Sequence, residues 1–108
     1  MVSVTITTGD EKLSLRVEGH AGYAEEGEDI VCASASILSY TVAQFVMEAE
    51  NQGDLKVPPQ LKLEKGDMLI LCEPKENILR GMEDMFYFAK MGFVLLEHNY
   101  PQYVRLMP

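Results

Sequence analysis

Residues 13–38 read LSLRVEGHAGYAEEGEDIVCASASIL, and the change of rhythm inside this stretch decides the fold. Leu13, Leu15 and Val17 alternate with Ser14, Arg16 and Glu18, the period of two expected of a half-buried strand. Further on the period lengthens. Residues 34–50 bring Leu38, Val42, Phe45, Val46 and Ala49 to one side of a helix that should end near Asn51, Gln52 and Gly53. Between them, Gly22-Tyr23-Ala24-Glu25-Glu26-Gly27-Glu28 is a polar loop with a glycine near each end. A strand therefore runs into His20, a helix begins around Cys32, and the loop allows the two ends to meet.

The rest of the chain extends this reading in both directions. Val2, Val4 and Ile6 form an earlier strand, and Gly9-Asp10-Glu11 turns it into the strand at 13–18. Beyond the helix, Pro58-Pro59 forbids helix in a short connection, and residues 61–64 and 68–73 form a second hairpin around Lys65-Gly66-Asp67. Asn77 is the expected cap of a second helix running to about His98, with Ile78, Met82, Met85, Phe86, Ala89, Phe93 and Leu96 along one face. That helix passes through Gly92 at a cost of about 1 kcal/mol relative to alanine. Pro101 stops it, and residues 103–107 add a short last strand. The order is ββαββαβ, an α+β fold with one mainly antiparallel sheet and two helices, in a single domain over residues 1–108. Met82, Met85 and Met91 read as core or dimer contacts, the common use of flexible methionines.

Composition sets limits on partners. At 108 residues and 47% hydrophobic content the chain can bury a core without disulfides or metal. Nine Lys and Arg face seventeen Asp and Glu, a net charge of -8 that repels phosphate backbones, so direct nucleic-acid binding is not expected. A basic protein suits this surface better. Glu25, Glu26 and Glu28 either attract a cationic segment or form an ordinary solvated loop. The apolar runs at 68–72 and 93–96 are far short of the roughly 20 residues of a membrane span, and residues 1–5 alternate like a strand without the basic and apolar regions of a leader. No membrane partner is expected. Only two cysteines occur, Cys32 and Cys72, which suits free thiols in a reducing cytoplasm; a Cys32–Cys72 disulfide is the competing reading.

The chemistry-bearing residues lie at the two ends of the loop. Cysteine attacks as the thiolate, and a nearby imidazole can take its proton, so His20 and Cys32 form a candidate base and nucleophile. Asp29 is placed to cap the helix, which puts Cys32 at the third helical position, where the positive end of the helix dipole favours an anion. The same geometry would aim the N–H groups of Cys32 or Ala33 at a substrate carbonyl as an oxyanion hole. Asp29 has a second possible role, bonding to His20 and orienting its ring. Ser36, one turn beyond Cys32, either supports the site or bonds back to the carbonyl four residues earlier. Gly22 and Gly27 are candidate hinges of a substrate loop, with Tyr23 at its entrance. Cys72 reads as a buried structural residue. Cys32, Cys72, His20 and His98 are also zinc-ligand types, but their spacing lacks the close pairs of zinc modules, so no metal and no other cofactor is expected.

Gly19-His20-Ala21, Gly27 and Asp29-Ile30-Val31-Cys32-Ala33-Ser34-Ala35-Ser36 together resemble the ribosomal-processing cysteine protease family, Prp. The twelve-position offset from His20 to Cys32 and the ending Tyr100-Pro101-Gln102-Tyr103-Val104-Arg105 fit the same resemblance, which spans essentially the whole chain. It implies a cytoplasmic bacterial endopeptidase, acting as a homodimer, that trims the N-terminal extension of large-subunit ribosomal protein twenty-seven after a hydrophobic residue. It also implies that His20 and Cys32 are the catalytic pair and that Gly19, Asp29 and Ser36 occupy characteristic positions. The alternative from a different class is a non-enzymatic module that binds a ribosomal protein and carries Cys32 as a redox-sensitive thiol.

Overall fold

Strands β1 (Val2–Gly9) and β2 (Lys12–Glu18) form the first hairpin of the computed structural model, which describes residues 1–25 and 27–108. Gly9 pairs with Lys12, so Asp10 and Glu11 alone make the turn, with φ of 52° and 62°. Positive φ at both turn residues is the geometry that matches the twist of paired strands. Helix α1 (Ile30–Asn51) follows, then β3 (Gln60–Glu64), β4 (Asp67–Cys72), helix α2 (Glu76–Asn99) and β5 (Val104–Leu106). The sheet order is β3-β4-β2-β1-β5, antiparallel throughout except for the parallel pair β1 and β5. The ββαββαβ order and the mainly antiparallel sheet are those expected from the sequence.

Alternation along the strands selects the buried face. Val2 and Val4 on β1, Leu13, Leu15 and Val17 on β2, Met68, Ile70 and Cys72 on β4, and Val104 on β5 all point into one cluster. Register confirms the common side, with Leu15 opposite both Ile6 and Ile70. The helices cover that side. Helix α1 contributes Val31, Ala35, Val42, Ala43, Val46 and Ala49, and α2 contributes Met82, Phe86, Phe93 and Leu96. Ser39 is fully buried in the α1 stripe, its hydroxyl satisfied by the Ala35 carbonyl at 2.8 Å. By length and composition α1 would suffice to cross a bilayer, and a third of that apolar stretch is buried within the fold, in the stripe that includes Val31, Ala35, Val42 and Val46.

Two local expectations are corrected, and a third, the passage of α2 through Gly92, gains its physical reason. Asn77 is not the cap of α2: the helix starts at Glu76 with Lys75 as an N-cap that makes no side-chain bond. The Lys75 N–H is held by the Asp54 carbonyl at 2.8 Å, so a tertiary bond sets the helix start before any side-chain cap can. Phe45 is half exposed instead of core, because the buried stripe runs through Val42, Ala43 and Val46 and turns Phe45 toward a groove near Ile78 and Met82. Gly92, tolerated inside α2, sits where the helices touch: a Cβ there would lie 2.7 Å from a Leu38 methyl. The close approach explains a glycine that helix propensity alone disfavours.

Candidate active site

Asp29 organises the turn from loop to helix. Its Oδ1 accepts the N–H groups of Val31 at 3.0 Å and Cys32 at 2.9 Å, and its Oδ2 accepts those of Tyr23 at 3.0 Å and Ala24 at 3.4 Å. One buried carboxylate thus caps α1 and ties down the first half of the loop. Burial alone would raise this carboxyl, but the N–H groups of Cys32, Ala24 and Tyr23, with the Cys32 side chain, favour the anion and hold it below the ordinary aspartate value. Of the two roles open to Asp29, the geometry gives the cap: both oxygens face backbone donors, not the imidazole.

Cys32 stands at the third residue of α1, as the cap position requires. Its sulfur accepts the backbone N–H of Ala21 at 3.3 Å, which joins the end of the β2 segment to the start of the helix. The sulfur thus receives a backbone N–H at the N-terminal end of a helix. His20, the residue before Ala21, faces the same space. The two side chains line one cleft of about 410 Å³ together with Gly22, Gly27, Ala33 and Ser36, and they share a smaller recess of about 70 Å³ with Gly66. Ser36 lies on the cleft wall one turn after Cys32, and Gly22 and Gly27 lie on its rim with φ of 69° and 90°.

Gly19 has a packing reason for its identity. Its φ is 94°, and any Cβ would collide with the Met1 carbonyl oxygen. The Gly19 N–H donates to the Gly66 carbonyl at 2.9 Å, and the Met1 amino nitrogen donates to the His20 carbonyl at 2.6 Å. The backbone on which His20 stands is therefore held from two sides.

Two expectations about the site change. The Cys32 and Ala33 N–H groups are not free to form an oxyanion hole, because the first bonds Asp29 Oδ1 and the second bonds the Asp29 carbonyl at 3.0 Å. Capping and the first helical turn engage both donors. Tyr23 does not stand at the cleft entrance; its ring packs edge-on against Tyr100 and Tyr103, with centroids 5.6 and 5.2 Å away. The T-shaped contacts anchor the loop to the C-terminal segment. Of the acidic loop residues, Glu25 and Glu28 are exposed, while Glu26 lies outside the described residues.

The second cysteine is of another kind. Cys72 is buried at the end of β4, and burial pushes its thiol up to about 11. Both cysteines are free, so the disulfide alternative does not hold. His98 occupies the last turn of α2, where a cation complements the helix dipole, and no cluster of three or more metal-ligating side chains occurs among the described residues. Sequence reasoning read Lys65 and Gly66 only as a turn, yet both line the recess beside His20. Their contact with the site is made where the β3–β4 turn meets the end of the neighbouring β2, and it has no local sequence signal beyond the glycine itself.

A cysteine held at a helix start, facing a histidine across a cleft, is the arrangement of a cysteine protease. Residues 1–105 match the model of the family described as cysteine protease Prp, and the chain belongs to that family. The chain is 28% identical over 102 residues to the ribosomal processing cysteine protease Prp of Mycoplasma pneumoniae, covering 94% of this chain and 90% of that protein. A Streptococcus mutans protein of known structure is 28% identical with a TM-score of 0.67, over 98% of this chain and 91% of that one. The essential ribosomal processing protease Prp of S. aureus, crystallised with a covalently linked product peptide, shares the fold with a TM-score of 0.72 at 23% identity, over 98% of this chain and 97% of that one.

Proposed function

We propose that this cysteine protease removes the N-terminal extension of large-subunit ribosomal protein twenty-seven, with Cys32 as nucleophile and His20 as general base and acid. The observation that carries the reading is the placement of both side chains on one cleft, with the Ala21 N–H directed at the sulfur. His20 takes the Cys32 proton, and the thiolate attacks the scissile carbonyl. His20 returns the proton to the departing amine, leaving a thioester on Cys32. Water, deprotonated by His20, then hydrolyses the thioester and frees the carboxylate product and the thiol. The Cys32 and Ala33 amides are engaged in the helix start, and the Ala21 N–H is directed at the sulfur of the nucleophile.

Substrate class follows from charge and kinship. A net charge of -8, with Glu25 and Glu28 exposed beside the cleft, favours a basic protein over nucleic acid. The relatives from Mycoplasma pneumoniae and S. aureus are ribosomal processing proteases. Free cysteines fit a reducing cytoplasm. The protein acts as a homodimer in this reading: Tyr87, Phe88 and Leu95 form an exposed apolar stripe on α2, a surface that a second copy would cover.

Mixing the protein with a peptide spanning the extension and its junction tests the assignment. Intact-mass analysis should find two complementary fragments, and none with the His20→Ala variant. An uncut peptide that remains bound would instead support a binding module.

A further inference from the structure

The imidazole of His20 lies against the turn between β3 and β4, and that turn has room for it only because residue 66 is glycine. A Cβ built on Gly66 would sit 2.5 Å from His20 Nε2 and 2.6 Å from Cε1, well inside van der Waals contact. The same residue accepts the Gly19 N–H at 2.9 Å, so the turn meets both the backbone before His20 and the Nε2 end of its ring. Gly66, His20 and Cys32 line one small recess. The carboxylate that the sequence offered as a ring orienter, Asp29, has both oxygens on backbone donors of the loop and helix.

We propose that Gly66 is a positioning residue for His20: the bare α-carbon of the β3–β4 turn is the wall that sets where the imidazole stands relative to the Cys32 sulfur. The inference rests on the assignment of His20 and Cys32 as the reacting pair. The atoms a side chain would strike belong to a rotatable ring, so the fold can yield by swinging the imidazole away while the sheet stays in place. A displacement of the base by about 1 Å is enough to lower turnover about 100-fold.

Glycine at this φ, 76°, serves the backbone as well, and that part must be separated. Gly53 supplies the control, since it has the same φ of 76° with nothing within 4 Å of a built Cβ. Gly66→Asn supplies a second probe, because asparagine tolerates the left-handed region yet still carries the Cβ. The experiment measures kcat and KM on the extension peptide and the histidine ring resonances by NMR in the intact protein, for Gly66→Ala, Gly66→Asn and Gly53→Ala. Only His20 and His98 contribute to that spectrum.

The expected result is a loss of kcat of about 100-fold in both Gly66 variants. KM should be little changed, the His20 resonances moved, the His98 resonances fixed and Gly53→Ala active. Unmoved His20 resonances in folded Gly66→Asn overturn the proposal, as does unchanged kcat with the resonances moved. Equal loss in Gly53→Ala also overturns it, since backbone strain would then be the cause. The catalytic assignment fails by a different sign, cleavage by Cys32→Ala, so the two failures are distinguishable.

Discussion

The backbone N–H of Ala21 points at the sulfur of Cys32 across 3.3 Å, although eleven positions separate the two residues in the chain. This bond places the neighbour of His20 on the nucleophile and makes the loop between them a closed bracket. Its two ends are fixed by the strand and the helix, and its first half is tied down by Asp29. A thiol in this setting differs sharply from the second cysteine of the chain.

That contrast predicts selective labelling. Burial raises the Cys72 thiol to about 11, so at pH 8 it is almost wholly protonated as well as sealed in the core. Iodoacetamide added to the native protein at pH 8 should give one adduct, located on Cys32 by peptide mapping. Cys72 should react only after denaturation. Alkylation of native Cys72 ahead of Cys32 would contradict this picture of the two sites.

Removing the Asp29 charge should weaken the fold in a pH-dependent way. Folding lowers this carboxyl, so its stabilisation is complete above the unfolded value of about 4 and is lost as pH falls through the folded value. Asp29→Asn keeps one acceptor but turns an amide NH2 toward other donors. It should be less stable by about 1–2 kcal/mol at pH 7. Urea unfolding at several pH values should find the gap narrowing below about pH 4. A gap that stays constant down to pH 3 would mean that the carboxylate charge is not what matters.

The two α2 glycines should respond oppositely to alanine. A Cβ at Gly81 meets nothing within 4 Å, so Gly81→Ala should gain up to about 1 kcal/mol from helix propensity. At Gly92 the same methyl strikes Leu38 at 2.7 and 2.9 Å, and the gain should vanish or reverse. Melting temperatures of the two variants give the comparison; equal stabilisation would show that the helices separate without cost.

The proposed self-association through α2 should be sensitive to charge. Phe88 is 80% exposed, between Tyr87 and the more distant Leu95 on the outer face. Phe88→Glu should leave the fold intact and shift sedimentation from dimer to monomer, since an unpaired charge opposes burial at an apolar interface. A wild-type protein that sediments as a monomer at high concentration removes this interface.

How much of this was readable in advance depends on the range of the interaction. The cap by Asp29 and the third-position Cys32 follow from adjacent residues, and the sequence carries them plainly. Strand alternation likewise selected Leu13, Leu15 and Val17, because a period of two leaves one inward face. The engaged Cys32 and Ala33 amides follow from the same cap, since an Asp29 that seals the helix start removes the donors an oxyanion hole would need. Contacts made across the fold left no such mark. Gly66 reaches His20 from a hairpin 46 positions later, Tyr23 meets Tyr100 and Tyr103 through the last turn of the chain, and Lys75 begins α2 because the Asp54 carbonyl holds it. Each is set by where the sheet brings distant segments, which local periodicity does not encode.

The most direct test of the central claim is an intact-mass spectrum of the wild-type protein, quenched in acid during turnover of the extension peptide. The account predicts a thioester adduct with the mass of the N-terminal fragment minus water, mapped to Cys32 and absent from Cys32→Ala. Fragments released at the normal rate by Cys32→Ala, with no adduct on the wild-type sulfur, would contradict it.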